Sequence, residues 1–232
     1  MPKGQMLFVA ALLLAGTGLL AWAAYRSVRP PKPPRDLAAE AEADLKKRGF
    51  VPLSGELQAL LEDKSYQGIA TQVHPLLGLT APAFVLDDVD GAAWTMKDRK
   101  PGPLVLVFYY GYHCDHCVSQ LFALNKDLAK FKELGAEVVA ISADPSATTR
   151  ERYAKYGRFS FPVLSDASNK VAALYGAYSP GKDGAEGVLS HATLVIGRDG
   201  VVAWANRGDE PFMENRSLLL EIARLVGRTS QR

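Results

Sequence analysis

Apolar positions change rhythm along the chain, and each change marks an element. Residues 6–25 (MLFVAALLLAGTGLLAWAAY) are an uncharged run. As a helix it would span about 30 Å, the thickness of a bilayer core. A buried core helix of that length carries a polar stripe, and this run has none. Residues 30–34 (PPKPP) exclude helix and sheet and predict a stiff extended spacer. Two helical stretches are then expected: Asp36 to Lys47, ending at Gly49, and Ser54 to about Ile69, with Ser54 as cap and Leu57, Leu60 and Leu61 on one face. Their expected role is a packing collar against the main domain.

From about Gly78 short β-rich runs alternate with helical patterns. Phe84 to Leu86 and Ala93 to Met96 flank Asp90-Gly91 and predict a hairpin. Leu104 to Tyr110 is continuously apolar, as in a strand buried on both faces. It runs through Gly111-Tyr112-His113-Cys114-Asp115-His116-Cys117 into a helix whose apolar face is Leu121, Leu124, Leu128 and Phe131, stopped by Gly135. Val138 to Ile141 is the next strand. Asp144-Pro145 opens a helix, with Asp144 as capping residue, and Gly157 closes it. Phe161 to Leu164 predicts a strand and Ser168 to Tyr175 a helix stopped by Gly176. Thr193 to Ile196 and Val201 to Trp204 are strands around Asp199-Gly200, and a final helix carries Leu218, Leu219, Ile222 and Leu225. The expected fold class is α/β, a mixed central sheet with helices on both faces, preceded by one transmembrane helix and a short helical linker. The corresponding boundaries are a tail at 1–5, the membrane span at 6–25, linker and helical segments at 26–77, and the main domain at 78–228.

Charge changes this picture little. A net charge of +2 and the lack of a Lys/Arg-dense stripe exclude a nucleic-acid surface. At the amino end, Lys3 and Ala21-Trp22-Ala23 also fit a cleavable signal peptide, but the apolar run exceeds the usual length of about 7–15 residues, favouring an uncleaved anchor. Arg26, Arg29, Lys32 and Arg35 follow the span, and the positive-inside rule alone would put the domain in the cytoplasm. A short tail before a long domain is also how exported, anchored redox proteins are built. The expectation is a single-pass protein with its domain on the extracytoplasmic side.

The chemistry lies in the two cysteines. Cys114 and Cys117 are the only pair in 232 residues. They cannot staple the fold, and no second pair exists to complete a zinc tetrahedron. A strand that feeds Cys-x-x-C into a helix places the sulfurs near unpaired N–H groups and the positive end of the helix dipole. Cysteine pKa values in such places fall from about 8.5 to about 3.5–7.5, which raises the reactive thiolate fraction. The spacing lets the sulfurs close and reopen a disulfide. In thiol–disulfide exchange Cys114 attacks or is attacked, and Cys117, one turn inside, resolves the mixed disulfide. His116 adds a donor for the thiolate, Asp115 acts in the opposite sense, and His113 flanks the pair. His74 is expected to be an ordinary surface histidine; Tyr109, Tyr110 and Tyr112 are expected to pack the strand and loop, with room for one of them to border the substrate groove.

The segments APAFVLDDVDG, LVLVFYYGYHCDHC, VVAISADPSATTRERYAKYG, FPVLSDASNKVAALYGAY and TLVIGRDG resemble the thioredoxin-like superfamily, specifically its alkyl hydroperoxide reductase/thiol-specific antioxidant (peroxiredoxin, redoxin) branch, from Ala81 to about Val226. The resemblance implies an oxidoreductase with a thioredoxin-like fold, no cofactor, and protein thiols, disulfides or a peroxide as partners together with an electron donor. Three places depart from the peroxiredoxin pattern. The peroxide-attacking cysteine of that family corresponds to Cys117, and its preceding Thr or Ser to Cys114. Its loop proline corresponds to Tyr110 and its arginine before the late strand to His191. In thioredoxins the place of His191 holds the cis-proline beside the disulfide.

Three functions remain open beside exchange. One is thiol peroxidase, with Cys117 oxidised to sulfenic acid and Cys114 closing the disulfide. Another is copper delivery: an anchor, this fold, two cysteines and a distant histidine also resemble Sco-type copper chaperones, for which Cys114, Cys117 and His191 would supply suitable donors. That family spaces its cysteines by three residues rather than two, and the reading taken assigns no metal ligand. The third is a catalytically quiet binding module, against which the retained pair argues.

Overall fold

The computed structural model describes residues 36–48, 57–97, 99–113, 115–181 and 186–227, without the side chains of 115, 116 and 156. The expected span at 6–25 and spacer at 30–34 lie outside these residues. Among the described residues no helix is long and apolar enough to cross a membrane.

The first helix, α1, runs Leu37–Lys47. The Asp36 carboxylate caps it, accepting from the N–H groups of Ala38 and Ala39 at 3.1 and 3.0 Å. Its buried Leu37, Ala41 and Leu45 form the packing face, and Lys126–Glu42, 2.6 Å apart, joins it to a later helix.

The second helix, α2, is only Leu57–Glu62, shorter than the expected stretch to Ile69. Asp63 turns back on its own backbone, its Oδ1 accepting from the Ser65 N–H at 2.9 Å, and such local bonds compete with helix. The chain beyond is held by distant partners. Trp204 Nε1–H donates to Ile69 C=O at 3.0 Å, and Gln72 N–H to Ala205 C=O at 2.8 Å. Gly78 N–H donates to Val202 C=O at 2.8 Å. Residues 69–80 thus run along the outer edge of the last strand.

The strands β1 (Val85–Asp88) and β2 (Ala93–Thr95) form the expected antiparallel hairpin around Gly91. Then follow β3 (Leu104–Tyr109), α3 (Asp115–Glu133), β4 (Glu137–Ser142), α4 (Ser146–Tyr156) and β5 (Val163–Ser165). A short α5 (Lys170–Leu174) leads to β6 (Tyr178–Ser179) and β7 (Val188–Leu189), a small pair that the apolar pattern did not announce. β8 (His191–Ile196), β9 (Val202–Gly208) and α6 (Asn215–Leu225) close the domain.

Among the described residues the main sheet has seven strands in the order β2-β1-β5-β4-β3-β8-β9. β3, β4 and β5 are parallel, and the remaining pairings are antiparallel. The two parallel crossovers step the same way across the sheet, so right-handed connections put α3 and α4 on one face. All six residues of β3 are buried. Val105, Val107 and Tyr109 pack into the core beneath α1, α3 and α6, while Leu104, Leu106 and Phe108 pack into the core containing α5. This two-sided burial is why β3 reads as an unbroken apolar run.

Candidate functional site

The site lies where β3 ends and α3 begins. β3 and β4 run parallel with Tyr109 opposite Ser142, so Gly111 and Asp144, two residues further along each chain, emerge side by side. Asp144 does not cap α4. Pro145 occupies that position, with no side-chain cap bond. The Asp144 carboxylate instead accepts the Tyr112 N–H at 2.7 Å. Gly111 has φ +110°, and a Cβ there would lie 2.6 Å from both carboxylate oxygens. Glycine meets both demands, positive φ and close approach. Tyr112 is buried among aromatic rings, stacked with Phe159 at 6.4 Å and edge-on to Tyr153 at 6.4 Å. Burial pushes its phenol well above the ordinary range. The loop is therefore pinned by backbone and side chain before it reaches the cysteines.

Cys117 lies in the opening turn of α3, fully buried and disulfide-bonded. Cys114, the chain's other cysteine, lies outside the described residues, as do the side chains of Asp115 and His116. His113 is exposed. His191, first residue of β8, is buried with its Nε2 3.1 Å from Cys117 Sγ. A disulfide sulfur carries no proton, so the ring N–H is the donor. The residues are 74 apart in sequence, and sheet geometry brings them together. β8 alternates its side chains: Val195 faces the α3 core while Ala192, Leu194 and Ile196 face the other. His191 and Thr193 share the face of Val195. One turn beyond Cys117, Gln120 Nε2 donates to Thr193 Oγ1 at 2.8 Å, with both residues buried. Two polar contacts thus fasten the start of α3 to β8.

Tyr110 covers the histidine. Its ring lies 4.4 Å from that of His191, tilted by 31°. Its phenol is held above the ordinary value, first by burial and then by Asp209 and Glu210. Tyr110 thus does more than the strand and loop packing expected of it. Among the described residues no cluster of three or more His, Cys, Asp or Glu could hold a metal ion.

A mixed sheet flanked by helices agrees with the comparisons to known proteins. Residues 77–205, more than half the chain, match the AhpC/TSA family model. The chain belongs to the AhpC/TSA family. Within it, the chain is similar to the peroxiredoxin Q, chloroplastic, of Oryza sativa subsp. japonica, 36% identical over 134 residues, covering 55% of this chain and 57% of that protein. It is also similar to the thiol-disulfide oxidoreductase ResA of Bacillus cereus (strain ATCC 10987 / NRS 248), 27% identical over 146 residues, covering 62% and 78%. This AhpC/TSA chain therefore spans a little over half the length of that peroxiredoxin Q relative. The crystal structure of peroxidoxin BcpB from Mycobacterium tuberculosis superposes with a TM-score of 0.57 at 28% identity, over 65% of this chain and 97% of that one. Mycobacterium bovis AhpC, at 15% identity, shares the fold with a TM-score of 0.58, over 69% and 97%. The thioredoxin-like α/β fold of the redoxin branch is thereby established for this AhpC/TSA chain.

Two residues carry more here than the sequence announced. Asp144 holds the loop between β3 and α3 rather than a helix end. His74 is buried rather than a surface residue. Its Nδ1 accepts the Leu76 N–H at 3.2 Å, and its Nε2 lies 3.2 Å from Tyr175 C=O. It ties the edge segment to the domain, and burial lowers its pKa.

Proposed function

We propose that this AhpC/TSA protein is a membrane-anchored thiol–disulfide oxidoreductase in which Cys114 and Cys117 form a redox-active disulfide. The observation that carries the reading is the disulfide-bonded Cys117, buried in the opening turn of α3 and hydrogen-bonded by His191. In this reading Cys114 is the entry sulfur. A substrate thiolate attacks Cys114, the Cys114–Cys117 bond breaks, and its electron pair leaves on Cys117. A second substrate thiol then releases reduced Cys114, so two electrons pass from thiols to the protein. In the opposite direction Cys117 resolves a mixed disulfide on Cys114. The similarity to a thiol-disulfide oxidoreductase supports this chemistry.

The test is the exchange rate of Cys114→Ser against the parent with a protein disulfide substrate. Loss of at least about a hundredfold is expected, since one sulfur cannot complete the cycle; parental activity would refute the proposal.

A second reading is peroxide reduction by Cys117, favoured by the peroxiredoxin Q relatives. Tyr110, Cys114 and His191 in place of the family's proline, Thr or Ser, and arginine weigh against it. Stopped-flow mixing of the reduced protein with hydrogen peroxide distinguishes them: a rate no better than that of a free thiol leaves exchange as the activity. Residues 6–25 supply the proposed anchor, with the redox domain on the extracytoplasmic side. A reporter fused at the carboxyl end that is active only in the cytoplasm should be silent, and activity would reverse the orientation.

A further inference from the structure

Two of the positions at which this chain leaves the peroxiredoxin pattern, Tyr110 and His191, lie together, and His191 reaches Cys117. Resting on the thiol–disulfide reading, we infer that His191 is the acid–base partner of the buried Cys117 sulfur, held in line by the Tyr110 ring. Cys117 is 0% and His191 3% exposed. A sulfur that must leave and attack there has no free access to bulk water for its proton. His191 Nε2 stands 3.1 Å from Sγ, within proton-transfer reach. The Tyr110 ring at 4.4 Å fixes the imidazole plane, and the Gln120–Thr193 bond at 2.8 Å fixes helix against strand. Among the described residues, charged groups on and just after β9 lie close to this region. Arg207 Nη2 reaches Ser190 Oγ at 3.4 Å, and Asp209 and Glu210 act electrostatically on Tyr110.

The proton balance is simple. On reductive opening, a dithiol's thiolate attacks Cys114 and the electron pair of the broken S–S bond goes to Cys117. The Nε2–H stabilises that thiolate by its hydrogen bond; if the ring enters as imidazolium, it gives the proton to sulfur and becomes neutral. On resolution, neutral Nε2 takes the proton from the Cys117 thiol. The resulting thiolate attacks Cys114 Sγ, the bond from Cys114 to the substrate sulfur breaks, and the substrate leaves as thiolate.

Two substitutions separate donor from base. In the detergent-purified full chain, His191→Phe keeps an aromatic ring beside Tyr110 but neither donates nor accepts. His191→Gln keeps an N–H donor that cannot take up a proton. Opening is followed with dithiothreitol, and resolution from a Cys114–glutathione mixed disulfide, both by acid quench, alkylation and mass spectrometry across pH 5–9.

His191→Phe should slow both steps at least about tenfold. His191→Gln should restore opening to within about threefold while resolution stays slow and follows the pH dependence of an unassisted thiol. Parental resolution in a folded His191→Phe protein would overturn the inference, and so would equal impairment of both steps in both variants, which marks packing alone. A parent that exchanges normally in either case leaves the thiol–disulfide reading standing; a parent that does not exchange at all removes that reading first.

Discussion

Gly111→Ala tests how the loop before the cysteines is held. The added methyl faces two separable costs. At φ +110° an L-residue is strained by about 1–2 kcal/mol. Its Cβ would also sit 2.6 Å from both Asp144 carboxylate oxygens, so the carboxylate must move and the 2.7 Å bond from the Tyr112 N–H is lost. A bond to a charged acceptor contributes about 1.5–3 kcal/mol. The expected destabilisation is about 2.5–5 kcal/mol, measured by urea denaturation of the oxidised protein. Gly91→Ala is the control. At φ +85° with nothing within 4 Å, it meets the backbone strain alone, about 1–2 kcal/mol. Combining Gly111→Ala with Asp144→Ala removes the group struck, and the pair should be less damaging than the two changes added, by about 1–3 kcal/mol. If Gly111→Ala matches the Gly91→Ala control, or the double variant is simply additive, the loop is not held in this way.

Two further outcomes follow from buried polar groups elsewhere. Asn215 Nδ2 donates to the buried Asp127 Oδ2 at 3.0 Å, beside Lys130 at 2.9 Å. Asn215→Leu should cost about 1.5–3 kcal/mol in urea denaturation, and loosen α6 from α3, because it strips a donor from a buried carboxylate. His74 has its pKa lowered by burial below the ordinary 6.5. Its unfolded form therefore binds the proton first, so stability is fully present above about pH 6.5 and is lost as the pH falls from there toward the lower folded value. Thermal midpoints measured from pH 8 to 5 should show that loss in the parent, and His74→Gln should flatten it; an unchanged slope would contradict the assignment.

Much of the fold was legible because local pattern and tertiary need agree. The unbroken apolar run of β3 reflects burial on two faces, and the stripe Leu121, Leu124, Leu128 and Phe131 lies at the helical spacing that α3 turns inward. What was not legible depends on distant chain. The stretch beyond Glu62 has enough helix formers to continue, yet its polar groups are claimed by β9 and by α6: Tyr66 Oη lies 2.8 Å from Ser217 Oγ. Asp144 before a proline has the sequence of a helix cap, and only the parallel register of β3 and β4 shows that Gly111 lies beside it. The strand-to-helix pattern put Cys117 in the opening turn of a helix, where it lies. The meeting of His191 with Cys117 and with Tyr110 was not legible, since antiparallel pairing of Phe108 with Ala192 is what brings those segments together.

β8 is buried on both sides, so burial alone does little to prevent it from sliding along β3. A slip of one place would turn His191 and Thr193 away from α3 and leave Ala192 and Leu194 facing the sulfur and the Gln120 amide. Those two polar side chains therefore serve as alignment pins. An insertion or deletion in the turn at 197–201 that let the strand creep would part His191 from Cys117 before it unfolded the sheet.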